Sequence, residues 1–491
     1  MRAQLWMVLC VLAAASGFVR AQGVADSVVK LHVTSETPDP FRPWTFRQPS
    51  QSSGSGLVIE GNRILTNAHV VSHASEILVE SGKVPRRVPA RIEAFAYGID
   101  LAIVTVDAPG FFDAHPPIEL DPDIPSDGSP VTVRGYPMGG STISTTEGVV
   151  SRLEYERYWF QERGLRLQID AAVNPGNSGG PVFSGDKCIG IVFSQVPEGE
   201  NIGYVIPVLE IEAFLDDVAD GTYDGKPELW VGTMNAENPG LRSFLEIPFA
   251  DGGTVVTVAP LENGQLRERD VIVEIEGMPI DDRGRVEVFG RRIDFEYPVD
   301  RVEGDTVELV VLRDGQRLTV NEPVRGYADP IMPILENDRP SYFVLGPLVF
   351  TEATQEFSSF AFRGAWAGRF AMRKNPIVWR GFDLQSFPGE RIVCLASPPL
   401  SHPVARGYED AEIGFVLETV NGHDIDNLAD LIETVRDLED EHVILEFADE
   451  ANDRVLVFNR EQLLEATDDV MRRNSIRSAV SEDLADLWPV P

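Results

Sequence analysis

Between Asp26 and about Asp220 the chain breaks into about a dozen short runs rich in Val, Ile, Leu, Phe and Thr, each closed by Gly, Pro, Asn or Ser. Val28 to Val33, Arg63 to Thr66, Leu101 to Val106, Thr145 to Leu153, Leu165 to Ile169 and Cys188 to Ser194 are examples. Runs this short, spaced this evenly and without crossover helices between them, predict closed antiparallel barrels or a sandwich rather than alternating βα units. Leu209 to Val218 then predicts a closing helix.

One turn in this rhythm has a composition suited to chemistry: Asn174-Pro175-Gly176-Asn177-Ser178-Gly179-Gly180-Pro181. Glycine reaches backbone angles closed to other residues and lets a substrate carbonyl come close. The turn can therefore expose the Ser178 hydroxyl while the Gly176 and Ser178 N–H groups converge as an oxyanion hole. A serine hydroxyl needs a base, and the base needs an orienting carboxylate. His69, in Leu65-Thr66-Asn67-Ala68-His69-Val70-Val71, ends a strand and opens a helical turn; Asp100, in Gly98-Ile99-Asp100-Leu101-Ala102, opens an apolar strand where a carboxylate is poorly placed without a partner. Taken singly, His69 reads as a satisfied buried histidine and Asp100 as a turn residue. Together with the serine turn, in the order His, Asp, Ser, they read as a triad.

Gly176-Asn177-Ser178-Gly179-Gly180 also fits the G-x-S-x-G pattern of α/β-hydrolases, but that fold places its acid and histidine after the serine. His73 makes a His-x-x-x-His spacing with His69, yet Val70 stands where a zinc peptidase has its glutamate. No metal and no cofactor are expected. The three cysteines, Cys10, Cys188 and Cys394, are too scattered for a disulfide framework or a metal cluster.

A length of 491 residues predicts about three domains. The net charge of −36 argues against nucleic acid or an anionic membrane as a partner. Residues 1–21 read as a secretory signal, with Arg2, an apolar run from Leu5 to Ala15 and cleavage after Ala21. That run is shorter than the roughly 20 residues a spanning helix needs, so no membrane span is expected after cleavage.

The motifs Gly54-Ser55-Gly56-Leu57-Val58-Ile59, Thr66 to Val71, Asp100 to Val104, Gly135-Tyr136-Pro137-Met138-Gly139-Gly140, Glu147-Gly148-Val149-Val150-Ser151-Arg152 and Asn174 to Pro181 closely resemble the HtrA/Deg family of chymotrypsin-like serine proteases. The resemblance implies a mainly β fold: a chymotrypsin-like double β-barrel with the triad in its cleft, followed by two α+β PDZ-like domains. It makes Ser178 the nucleophile, His69 the base and then acid, Asp100 its orienter, and Gly176, Asn177 and Ser178 the oxyanion loop. Where trypsin-like enzymes carry an aspartate six residues before the nucleophile, this chain has Ala172. With Ile191, Val192 and Phe193 as expected walls, the pocket should be apolar and shallow, taking Val, Ala or Ile.

The implied domains are a protease over 22–222, a first PDZ domain over 223–325 and a divergent PDZ-like domain with an acidic tail over 326–491. In the first PDZ domain, amides around Trp230, Val231 and Gly232 would receive a peptide carboxylate, although Arg269 stands where glycine is usual. The divergent domain is carried by Arg339 to Thr351, Val416 to Gly422, Asn427 to Leu438 and Ser475 to Ala479, with an apolar run filling its ligand loop. The Pro-rich stretch 34–53, with Phe41, Trp44 and Phe46, reads either as a solvated loop or as a regulatory and assembly loop near the active site.

The expected function is ATP-independent endoproteolysis of unfolded or damaged proteins, outside the cytoplasm in periplasm or medium, by a homo-oligomer built from trimers and responsive to activating peptides. The alternative is a PDZ-bearing chaperone or scaffold that binds unfolded chains without important cleavage. The intact triad separates the two, since a scaffold has no need of it.

Overall fold

The computed structural model describes residues 26–488 apart from 84–85, 139, 141, 159–161, 196–201, 260, 262, 303, 325–329, 362–373, 382 and 449–453. The leader expected at 1–21 lies outside the described residues. The chain divides into two units, one of residues up to 35 with 51–327, the other of 36–50 with 328–491.

In the first unit, β1 (Val28–Ser35), β2 (Ser50–Ile59), β3 (Arg63–Thr66), β4 (Ala74–Glu80), β5 (Val88–Ala96) and β6 (Leu101–Val106) close a barrel in the order β1-β2-β3-β6-β5-β4. A second closed barrel holds β7 (Pro130–Gly135), β8 (Ser144–Arg157), β9 (Arg163–Ile169), β10 (Pro181–Ser184), β11 (Lys187–Gln195) and β12 (Gly203–Pro207), in the order β10-β11-β12-β9-β8-β7. The sandwich alternative is thereby excluded. A helix, Val208–Asp217, closes the pair.

Strand β6 explains why the barrels stay together. Side chains alternate across a strand, and here both faces are buried. Ala102, Val104 and Val106 fill the first barrel with Val29, Leu31, Val58 and Ile64. Leu101 and Ile103 instead join Leu57, Phe183, Ile191, Phe193 and the helix residue Phe214 in a layer shared by both barrels. The unbroken apolar run Leu101 to Val104 is thus a strand with no solvent face.

Within the same unit a sheet follows the barrels, its strands running in the order Gly232–Asn235, Thr254–Val258, Val271–Ile275, Thr306–Arg313, Gln316–Pro323. The short helix Pro239–Phe244 starts on Asn238, whose side chain accepts from the Gly240 and Leu241 amides, with Pro239 filling the first turn. A buried ionic cluster seats this sheet on the second barrel. Lys226 Nζ donates to Asp300 Oδ2 at 2.8 Å and to the Arg163 carbonyl at 3.1 Å, and it pairs with Glu210. The Tyr155 hydroxyl donates to Asp300 at 2.7 Å, and Arg163 pairs with Asp294 and Glu296.

The second unit is built on a seven-stranded sheet from Tyr342–Leu345 to Arg454–Asn459. Helices Leu428–Asp437 and Arg460–Asn474 begin on Asn427 and Asn459, each of which caps an amide three residues on. Strand Leu348–Glu352 has Tyr342–Leu345 on one side and Val393–Leu395 on the other. The tail then pairs with the outer strand, Val344 N–H donating to the Ala479 carbonyl at 2.7 Å and Ser481 N–H to the Tyr342 carbonyl at 3.0 Å. Residues 36–50 belong here: Phe41 meets Phe357 edge-on at 5.9 Å, Trp44 meets Tyr342 at 6.2 Å and the Arg339 guanidinium lies 4.4 Å over Phe46. Apart from Ser50, which opens β2, this stretch packs on the second unit.

Candidate active site

His69 rides on the helical turn Ala68–Val71, which follows β3 directly. Val70 and Val71 anchor that turn in the first barrel, leaving the imidazole 39% exposed. Asp100 sits in the turn before β6 with φ +57 and 2% exposure. The turn is held by Asp100 N–H on the Tyr97 carbonyl at 3.1 Å and by Asn67 Nδ2 on the Asp100 carbonyl at 3.0 Å. From there the carboxylate accepts His69 N–H at 2.9 Å on Oδ1 and faces His69 Nδ1 at 2.7 Å on Oδ2. A carboxylate accepts only, so Nδ1 carries the proton and Nε2 is left as the base. Burial works to lower the His69 pKa; the charge and hydrogen bond of Asp100 outweigh it and leave the pKa above 6.5.

The serine turn lies against β2 and β3. Ser55 N–H donates to the Ser178 carbonyl at 2.8 Å, and Gly179 N–H donates to the Val192 carbonyl at 2.8 Å. Gly179 has φ +81, and a Cβ there would stand 2.1 Å from the Ser55 carbonyl oxygen. No other residue fits. Thr66 Oγ1 donates to that same carbonyl at 2.8 Å, so the serine turn and the strand leading to His69 share one anchor.

Among the described residues, neither the Gly176 nor the Ser178 N–H has an acceptor. Gly176 has φ +97. The preceding carbonyl, Pro175, accepts Met138 N–H at 2.7 Å; because a trans peptide points its C=O and N–H oppositely, the Gly176 N–H is turned away from Met138 and left open. Asn177 between the two donors is 2% exposed. The Ser178 hydroxyl makes no hydrogen bond among the described residues, and nucleophile–base bonds commonly tighten only around a seated substrate.

Of the residues expected to shape the specificity pocket, Ala172 is half-buried. Val192 joins Ala171 and Val173 in the core of the second barrel, whereas Ile191 and Phe193 lie in the layer between the barrels. Gly232 opens the strand Gly232–Asn235 at the end of its sheet, paired on one side with Thr254–Val258. Trp230 is half-buried, with Nε1 lacking a partner among the described residues, and Val231 packs against the core. Arg269 adopts φ +72, a left-handed conformation in which glycine is the unstrained residue.

Ser55, which its sequence motif does not single out, ties the oxyanion loop to the segment that begins at Tyr136. Its hydroxyl accepts Tyr136 N–H at 2.8 Å and donates to the Gly176 carbonyl at 2.8 Å. A position between two glycines is the local sign that it carries. Among the described residues there is no cluster of His, Cys, Asp or Glu able to hold a metal, and no helix long and apolar enough to cross a membrane.

Residues 54–191 match the family described as trypsin-like peptidase domain, and 332–483 match the family described as PDZ domain. The chain is 33% identical over 475 residues to Protease Do-like 2, chloroplastic, of Arabidopsis thaliana, covering 95% of this chain and 76% of that one. It is 34% identical over 466 residues to Protease Do-like 4, mitochondrial, of the same plant, covering 93% and 85% respectively. Among solved structures it resembles the HtrA-type protease AlgW with tripeptide, at a TM-score of 0.50 and 24% identity, over 63% of this chain and 97% of that one; this likeness speaks to the fold.

Proposed function

Because the chain belongs to the HtrA/Deg family of serine proteases, we propose that its peptide-bond hydrolysis runs through Ser178, His69 and Asp100. The chain is an ATP-independent serine endopeptidase of that type. Ser178 Oγ attacks the scissile carbonyl as His69 Nε2 takes its proton. The oxyanion accepts from the Gly176 and Ser178 amides. Protonated His69 then gives the proton to the departing amine, and a water deprotonated by His69 hydrolyses the acyl-enzyme. Asp100 holds the imidazole tautomer and stabilises its charge. The observation that carries this reading is the His69 Nδ1–Asp100 contact at 2.7 Å beside a serine turn with two open amides.

Cleavage follows small aliphatic residues, since Ala172 puts no charge in the pocket. The substrates are unfolded chains, with free C-terminal peptides received at Trp230 to Gly232. The working form is a trimer or a multiple of trimers. The chloroplastic and mitochondrial names of the relatives, together with the leader-like residues 1–21, support a location outside the cytosol. Incubation of the protein and of Ser178→Ala with reduced casein tests the mechanism: wild type cleaves and the variant does not. Undiminished cleavage by Ser178→Ala rejects it, and new C-termini of Lys or Arg reject the pocket.

A further inference from the structure

Lys30 is a buried lysine that nothing in the triad explains. Val29, Leu31 and Val33 of β1 fill the first barrel, so alternation places Lys30 on the opposite face. There it is only 8% exposed, and among the described residues no carboxylate pairs with it. Glu80, opposite Lys30 in the β1–β4 register, bonds His32 and Arg87 instead. A buried ammonium with no paired carboxylate is costly, and a methionine would fill the same space without that cost. Its partner lies 110 positions away: Nζ donates to the Gly140 carbonyl at 2.7 Å.

Gly140 ends the turn that templates the oxyanion loop. Its own N–H closes the turn on the Pro137 carbonyl at 2.9 Å, and Met138 N–H, in the middle of the turn, holds the Pro175 carbonyl at 2.7 Å. The turn presses directly on Gly176, where a Cβ would lie 2.6 Å from the Tyr136 carbonyl oxygen and 2.7 Å from Met138 N. We propose that Lys30 is a positioning residue for the oxyanion hole: by holding the Gly140 carbonyl it fixes the Pro137–Gly140 turn, and so keeps the Gly176 N–H aimed at the reacting carbonyl. The proposal rests on Ser178 as nucleophile. A charge-assisted bond from an ammonium to a carbonyl is stronger than a neutral one, which suits a strut across the seam between two barrels.

The test compares wild type, Lys30→Met, Lys30→Arg and Ser178→Ala as full-length proteins on a fluorogenic peptide. Removing a direct oxyanion donor costs roughly 100- to 1000-fold in kcat; loosening its support should cost roughly 10- to 100-fold, with KM within about twofold. A peptide aldehyde, which forms the oxyanion adduct, should weaken by the same factor. Affinity for uncleaved peptide, measured in a Ser178→Ala background, should not change on adding Lys30→Met. Lys30→Arg, which keeps a donor, should recover most of the loss. Unchanged kcat in Lys30→Met, a rise in KM in place of the fall in kcat, or Arg serving no better than Met overturns the proposal. Should Lys30→Met not fold, a crystal structure of the wild-type aldehyde adduct decides: Nζ within hydrogen-bond distance of the Gly140 carbonyl supports the strut, and Nζ turned away refutes it. Full activity of Ser178→Ala would sink the catalytic reading itself, whereas an inactive Ser178→Ala beside a fully active Lys30→Met sinks only the role of Lys30.

Discussion

Replacing Lys226 by methionine tests whether the ionic cluster clamps the sheet of Gly232–Asn235 to Gln316–Pro323 to the barrels. Its ammonium stands between two carboxylates with almost no access to water: side-chain exposure is 11% for Lys226, 0% for Glu210 and 3% for Asp300. Burial already raises the Asp300 pKa to about 6, with Lys226 opposing the rise. Without the ammonium the two buried carboxyls lose their counter-charge, keeping among the described residues only the Leu165 N–H on Glu210 and the Tyr155 hydroxyl on Asp300. Breaking a buried pair by removing one member costs about 3–5 kcal/mol, whereas replacing the whole set by neutral groups is often tolerated. Lys226→Met should therefore lower the first thermal transition at pH 7.5 by roughly 5–10 °C and open the linker from Asp220 to Pro227 to added protease. The triple variant Lys226→Met, Glu210→Gln, Asp300→Asn should regain at least half of that loss. A single variant within about 2 °C of wild type, or a triple variant no more stable than the single, refutes the clamp.

Further outcomes follow from individual residues. Peptidase activity should fall on acidification with a midpoint above 6.5, because Asp100 raises the His69 pKa and only neutral imidazole can take the serine proton; Asp100→Asn should cut kcat by roughly ten-thousand-fold, and a loss under about tenfold would contradict the orienting role. Glu162 is 4% exposed, and burial lifts its pKa to about 7 against the pull of the Tyr223 hydroxyl. The folded form holds that proton more tightly than the unfolded chain, so its contribution is full below about pH 4.5 and is lost as pH rises to about 7, on the order of 3 kcal/mol at most. Glu162→Gln should flatten the stability profile over that window, and a profile parallel to wild type would count against it. Arg269→Gly relieves a left-handed arginine worth about 1 kcal/mol at the loss of the contact over Phe244, 5.9 Å from the ring and worth about 0.5 kcal/mol; the transition should rise by a degree or two, and a fall would show the side chain matters more than the strain.

The parts of the molecule legible in the sequence are those whose physical cause is local. Strand β6 shows itself because burial on two faces demands six apolar or neutral residues in a row, and the triad because His69, Asp100 and Ser178 each sit in a turn of distinctive composition. Gly148 likewise has a local trace: a Cβ there would meet the Asp170 carbonyl oxygen at 1.8 Å, which only glycine avoids. What stays hidden joins residues distant in the chain. Lys226 and Asp300 are 74 positions apart, and each alone reads as an ordinary surface charge. Lys30 occupies a polar slot in an alternating strand, which normally means solvent, because nothing nearby shows that a turn from the other barrel covers it. The aromatics of 36–50 announce a contact without saying with what. Arg269 is visible as a departure from the PDZ pattern, and the structure gives that departure a backbone angle.

The claim that this chain is a protease working through Ser178 is tested most directly by covalent labelling. The full-length protein is treated at about pH 8, which favours the neutral imidazole that can act as base, with a peptidyl phosphonate ending in valine, digested and mapped by mass spectrometry. A single adduct on Ser178, formed at least about a hundredfold more slowly in His69→Ala, is the predicted result. An adduct on another residue, or equal labelling of wild type and His69→Ala, would contradict it.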